Sequence, residues 1–120
     1  MAVRAVRGAT QLVADDRDEM IEAVVELVSH MLEANELSTD ALISMLLTST
    51  PDLHCEFPAF AARQLGIGDV PLLCSVEIDV RGALPRVIRV MAHVETDRPR
   101  DQIRHIYLRG AEQLRRDLAQ

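Results

Sequence analysis

Hydrophobic and polar positions alternate over residues 3–7. Val3, Ala5 and Arg7 share one face and Arg4 and Val6 the other, which predicts a β-strand. Gly8 then marks a strand end or a close backbone approach. The period lengthens over residues 15–35. Ile21, Val24, Val25, Val28, Met31 and Leu32 recur every three or four positions, the apolar stripe of a helix covering a sheet. Residues 16–19, Asp-Arg-Asp-Glu, offer a capping-box-like start with acidic groups at the positive end of the helix dipole. Asn35 suits a left-handed stop, and His30 sits on the solvated face.

Residues 42–50 read as a buried strand whose polar end is Thr48-Ser49-Thr50. Pro51-Asp52 breaks it. Pro58 opens a short, solvent-facing helix over residues 58–65, a candidate lid. Residues 71–91 hold two strands joined by a turn-rich loop carrying Gly82 and Pro85. The second of these strands, 87–94, is aliphatic apart from Arg89. A guanidinium in so apolar a run is costly to bury without an anionic partner. Glu77 on the preceding strand offers one, as a structural ion pair or as the anionic counterpart in a ligand pocket. Residues 102–108 read as a last strand with His105 and Tyr107 on one face, and 110–120 as a polar tail whose Leu114-Arg115 could fold over a neighbouring surface. The order is β, long α, β, short α, β, β, β. This predicts an α+β fold on a mixed sheet. One long helix covers only one sheet face, so oligomerisation is the expected cover for the other.

Composition narrows the function. At 120 residues the chain is expected to form a single domain, residues 1–120. Its net charge of −6 and its single Tyr, two Phe and no Trp argue against nucleic-acid binding and general attraction to anionic membranes. Cys55 and Cys74 lack metal-type spacing, and no segment reads as a leader or a membrane span. A soluble, cytoplasmic protein with reduced thiols is expected. The four histidines form no HxH or HExxH pattern, so no metal or cofactor is expected. A Cys74 pairing with His54 or His93 is an open alternative for nucleophilic chemistry. Arginines at strand ends and in short apolar contexts stand out: Arg7, Arg63, Arg89 and Arg115, beside Glu77, Cys74 and Tyr107. Guanidinium forks grip carboxylates and Glu77 can accept from a hydroxyl, so this set suits a small hydroxylated dicarboxylate.

The blocks VRAVRGAT, MLLTSTPDLHCEFPAFAARQL, VPLLCSVEIDVRGALPRVIRVM and DQIRHIYLRGAEQLRRDL follow one another along nearly the whole chain. In that order the sequence closely resembles the monofunctional bacterial chorismate mutases of the trimeric pseudo-α/β-barrel class. The resemblance implies conversion of chorismate to prephenate, in a homotrimer with sites in the clefts between subunits. It implies that Arg7 binds the side-chain carboxylate and Arg89 bridges that carboxylate and the ether oxygen. Glu77 and Cys74 would meet the ring hydroxyl, and Tyr107 would position the side-chain carboxylate. Phe57, Ala59 and Leu114 would line the pocket, with Arg63 and Arg115 nearer its mouth. Leu73, where relatives often have threonine, and Phe60, where some have lysine, depart from the family and bear on substrate affinity. On this reading Glu77 and Arg89 are opposite walls of one cleft. Two alternatives remain: a non-catalytic trimeric module binding a small carboxylate, and a structural oligomerisation domain.

Overall fold

The computed structural model describes residues 1–117, with side chains through residue 114. The elements run β1 (Ala2–Gln11), α1 (Arg17–Ala34), β2 (Leu42–Ser49), α2 (Pro58–Arg63), β3 (Leu72–Val76), β4 (Val87–Thr96), β5 (Ile106–Leu108) and α3 (Glu112–Asp117), with 3₁₀ turns at Thr39–Ala41 and Arg100–Gln102. The five strands form one mixed sheet in the order β3-β2-β4-β1-β5. β4 is antiparallel to both β1 and β2, while β1–β5 and β2–β3 are parallel. The expected α+β mixed sheet is present. The two strands of residues 71–91 are not neighbours, however, because β2 lies between them.

Helix α1 begins as its sequence dictates. Asp16 caps it by accepting from the Glu19 N–H at 2.9 Å, and the Glu19 carboxylate reaches back to the Val13 and Ala14 N–H groups. Its buried stripe is Met20, Ala23, Val24, Leu27, Val28, Met31 and Leu32. This is rotated slightly from the expected stripe, since Ile21 and Val25 are only partly covered. The helix packs closely on β1 at Gly8. A Cβ there would sit 2.4 Å from Met31 Sδ, so the glycine serves the close approach and the strand continues past it to Gln11. The left-handed residue after α1 is Glu36 (φ 56°), not Asn35 (φ −104°). The Asn35 side chain is buried instead. Its Nδ2 donates to the Met31 and Arg104 carbonyls, and its Oδ1 accepts from the Arg104 N–H.

Three further expectations change. Helix α2 is not solvent-facing, because Pro58, Ala59, Ala61 and Ala62 are buried against the core. Strand β2 is buried on one face only: Met45 and Leu47 point under the helices, while Leu46 is 44% exposed. The polar tail contains α3, docked by Ala111 and Leu114 onto Ala9 and Val87. Among the described residues no helix is long and apolar enough to cross a membrane.

The sheet therefore has one covered face and one open face. The open face can be followed in register. Leu73 stands beside Leu46, Leu46 opposite Met91, and Met91 opposite Arg7. The next row runs Ser75, Thr48, Arg89, Ala9 and Tyr107. Leu73, Leu46, Met91 and Val3 are all exposed on this face.

Candidate active site

The pleat decides which side chains of the open face can act together. Arg7 and Ala9 on β1 share a face, and the Ala9–Arg89 and Arg7–Met91 pairs put both arginines on it. Tyr107 comes alongside from β5, paired with Ala9. Arg7, Arg89, Tyr107 and Thr48 line one cleft of about 320 Å³. Its walls are otherwise aliphatic, from Leu46, Val90 and Met91. Arg7 is half-buried there, and its backbone N–H donates to His105 Nδ1 at 2.9 Å, tying β1 to the start of β5.

Glu77 follows the last residue of β3, and its N–H still pairs with the Ser49 carbonyl at 2.9 Å. That bond turns its side chain back over β2. Glu77 Oε2 accepts from Thr48 Oγ1 at 2.6 Å and lies 3.1 Å from Arg89 Nε. The expected opposite walls of a cleft thus touch. The contact is an ion pair without an aligned hydrogen bond: among the described residues the buried Arg89 Nε–H finds no acceptor in line with it. Both side chains also border a smaller hollow of about 120 Å³ under the 77–86 loop.

The other expected site residues lie elsewhere. Cys74 pairs with Leu47, so it faces the helix layer, and its Sγ accepts the Ala59 N–H at 3.2 Å. With Phe57, which is 71% exposed, it borders a cavity of about 580 Å³ between the 51–58 segment and β3. Ala59 is buried, and Leu73 lies on the open face in the β3 edge strand. Arg63 is exposed at the last turn of α2 with no ion pair among the described residues. Phe60 has the Arg17 guanidinium 5.0 Å above its ring. Leu114 lies on α3, buried against Ala9 and Val87. Arg115 is on α3, and its side chain lies outside the described residues. The hydrogen bond that Cys74 makes is with the Ala59 N–H and not with a histidine. His54 borders the same cavity, and the His93 ring is 3.3 Å from Ser44 Oγ.

The loop carrying Phe57 is pinned electrostatically. The Asp15 carboxylate accepts from the Cys55 thiol and from the His54 and Cys55 N–H groups, which holds its pKa below the ordinary value. Burial, and then the bond to Asp15, push the Cys55 thiol up to about 11, so it stays protonated. The Glu56 carboxylate accepts the Phe57 N–H and pairs with Arg17, both of which lower its pKa. One contact was hidden in the sequence: Thr48 reads there only as the polar end of a strand. Its alternation with Leu46 is the signal that places it on the Arg89 face.

A small sheet with two guanidiniums, a carboxylate and a tyrosine on its open face is the framework of a small-anion enzyme of α+β class. The family model for chorismate mutase type I matches residues 3–118. Chorismate mutase AroH of Bacillus subtilis (strain 168) is 44% identical over 120 residues, covering 99% of this chain and 94% of that protein. Chorismate mutase AroH of Thermus thermophilus is 49% identical over 117 residues, covering 97% and 96%. A solved chorismate mutase from Clostridium thermocellum superposes with a TM-score of 0.89 at 44% identity, over 91% of this chain and 97% of that one. The chain belongs to the type I chorismate mutases, isomerases of aromatic amino-acid biosynthesis.

Proposed function

We propose that this chain, as one domain in the cytoplasm, rearranges chorismate to prephenate at clefts completed between the subunits of a homotrimer. The observation that carries the reading is the single cleft holding Arg7, Arg89 and Tyr107, with Glu77 against Arg89. A unimolecular Claisen rearrangement draws its acceleration from two physical sources. One is holding the flexible enolpyruvyl arm over the ring in its reactive shape. Arg7 and Tyr107 grip its carboxylate for this. The other is meeting charge as it develops. Arg89 faces the ether oxygen, where negative charge grows as the C–O bond breaks, and Glu77 opposes positive character on the ring. A preorganised donor of this kind is worth about 10²–10³ in rate.

The assembly is supported by two features. The exposed apolar row Leu73, Leu46, Met91 runs directly into Arg7 on the open face, the kind of surface that a second copy covers. In addition, β3 and β5 are the two edges of a five-stranded sheet, on the order of 19 Å apart. Phe57, Ala59, Leu73 and Cys74 would therefore serve the Arg7–Arg89 cleft of a neighbouring subunit, with Leu114 lining it and Arg63 and Arg115 nearer its mouth. Following chorismate optically tests the activity: loss with prephenate formed is the expected result. Binding without loss would favour a non-catalytic carboxylate-binding module. Gel filtration with light scattering tests the trimer.

A further inference from the structure

We propose that Thr48 is a positioning residue that keeps Glu77 from closing a full ion pair with Arg89. The inference rests on the reading of Arg89 and Glu77 as catalytic. Thr48 stands opposite Arg89 in the β2–β4 register, on the open face, and borders the Arg7–Arg89 cleft. Its hydroxyl donates to Glu77 Oε2 at 2.6 Å, the same oxygen that lies 3.1 Å from Arg89 Nε. The shorter contact is the hydroxyl's, and the guanidinium is left close but misaligned. The Arg89 Nε–H is buried and, among the described residues, without a hydrogen-bond acceptor. An unmade bond of this kind is costly, and a carboxylate beside a guanidinium ordinarily closes into a two-pronged fork.

Here a neutral hydroxyl holds the carboxylate in place. The arrangement keeps the guanidinium from closing a fork with Glu77, so that its exposed end stays turned to the cleft for a substrate oxygen carrying developing charge. It also fixes the Glu77 carboxylate without neutralising it. Thr48 touches neither reacting atom and acts through its two neighbours.

The isosteric Thr48→Val removes the hydroxyl and keeps the shape. Glu77 is then free to align with Arg89 Nε, and the guanidinium is drawn away from the substrate. The expected result is a kcat reduced roughly 10- to 100-fold with a smaller change in KM, since the defect is misplacement of a charge-stabilising group. Thr48→Ser should restore kcat to within about threefold of the parent. A merely structural threonine would instead lower the melting temperature of Thr48→Val and leave kcat alone. The ¹⁵N–¹H signal of Arg89 Nε, assigned by its disappearance in Arg89→Lys, provides a readout without substrate. It should move downfield in Thr48→Val as the bond to Glu77 forms. If the parent turns over chorismate and folded Thr48→Val keeps kcat within twofold, the inference fails and the activity stands. If the parent leaves chorismate untouched, the activity reading fails. An unmoved Arg89 signal in Thr48→Val would then overturn this inference as well. Should Thr48→Val not fold, Thr48→Ala is judged by the same two measurements.

Discussion

Arg89 Nε and Glu77 Oε2 stand 3.1 Å apart across the open face of the sheet, and the two side chains touch without an aligned hydrogen bond. The Arg89 side chain is 43% exposed in the single chain. Glu77 is more covered, at 17% exposure, but with one partner this exposed the pair is expected to contribute only about 0–1 kcal/mol to stability. On the proposed reading its worth lies in what the two charges do to a ligand, which separates loss of activity from loss of fold.

Arg89→Ala is therefore expected to fold and assemble as the parent does while kcat falls by at least about 10²–10³. Steady-state kinetics on protein checked by circular dichroism and gel filtration decide it. Near-normal kcat in the folded variant would sink the catalytic assignment.

Arg63 projects from the last turn of α2, exposed and without an ion pair among the described residues. An approaching anion can meet it at the rim. Arg63→Ala should raise KM several-fold and leave kcat close to the parent, the pattern of lost uniform binding. A large fall in kcat at constant KM would move Arg63 to the reacting centre.

Cys74 Sγ accepts the Ala59 N–H at 3.2 Å, and a hydroxyl can accept that bond equally well. Cys74→Ser is expected to keep kcat within about threefold of the parent. Complete inactivation of folded protein would point to a reactive thiol instead.

Cys55 supplies a pH signature. Its thiol is raised from the ordinary 9.0 to about 11, by burial first and by the bond to Asp15 second. Between those values the unfolded chain binds fewer protons than the folded one, so stability falls as pH rises. The contribution is fully present below pH 9 and lost on passing 11. The melting temperature should drop over that interval, and Cys55→Ala should flatten the drop. An unchanged slope in Cys55→Ala would place the titration elsewhere.

What the residues disclose depends on how local each feature is. Helix α1 is legible because its stripe and its Asp16–Glu19 cap are neighbours in sequence. The open sheet face follows from having one long helix. Pairing is not local, and nothing between residues 71 and 91 records that β2 inserts between β3 and β4. Helix α3 escapes notice because only Ala111 and Leu114 dock it, too few to set a period. For the site, Arg89 announces itself by its apolar surroundings. Glu77 is legible as a candidate ion-pair partner, but the geometry of the contact is not, since it depends on a backbone bond to Ser49 that turns the carboxylate over β2.

The order β3-β2-β4-β1-β5 sets Cys74 and Phe57 apart from Arg7 and Tyr107 within one chain. On the proposed trimer this has a genetic consequence. An allele crippled at Arg7 and another crippled at Phe57 would each be silent alone. Expressed together they would form mixed trimers in which some clefts draw a sound half from each parent, so two defective genes would restore a measurable fraction of the activity that neither encodes.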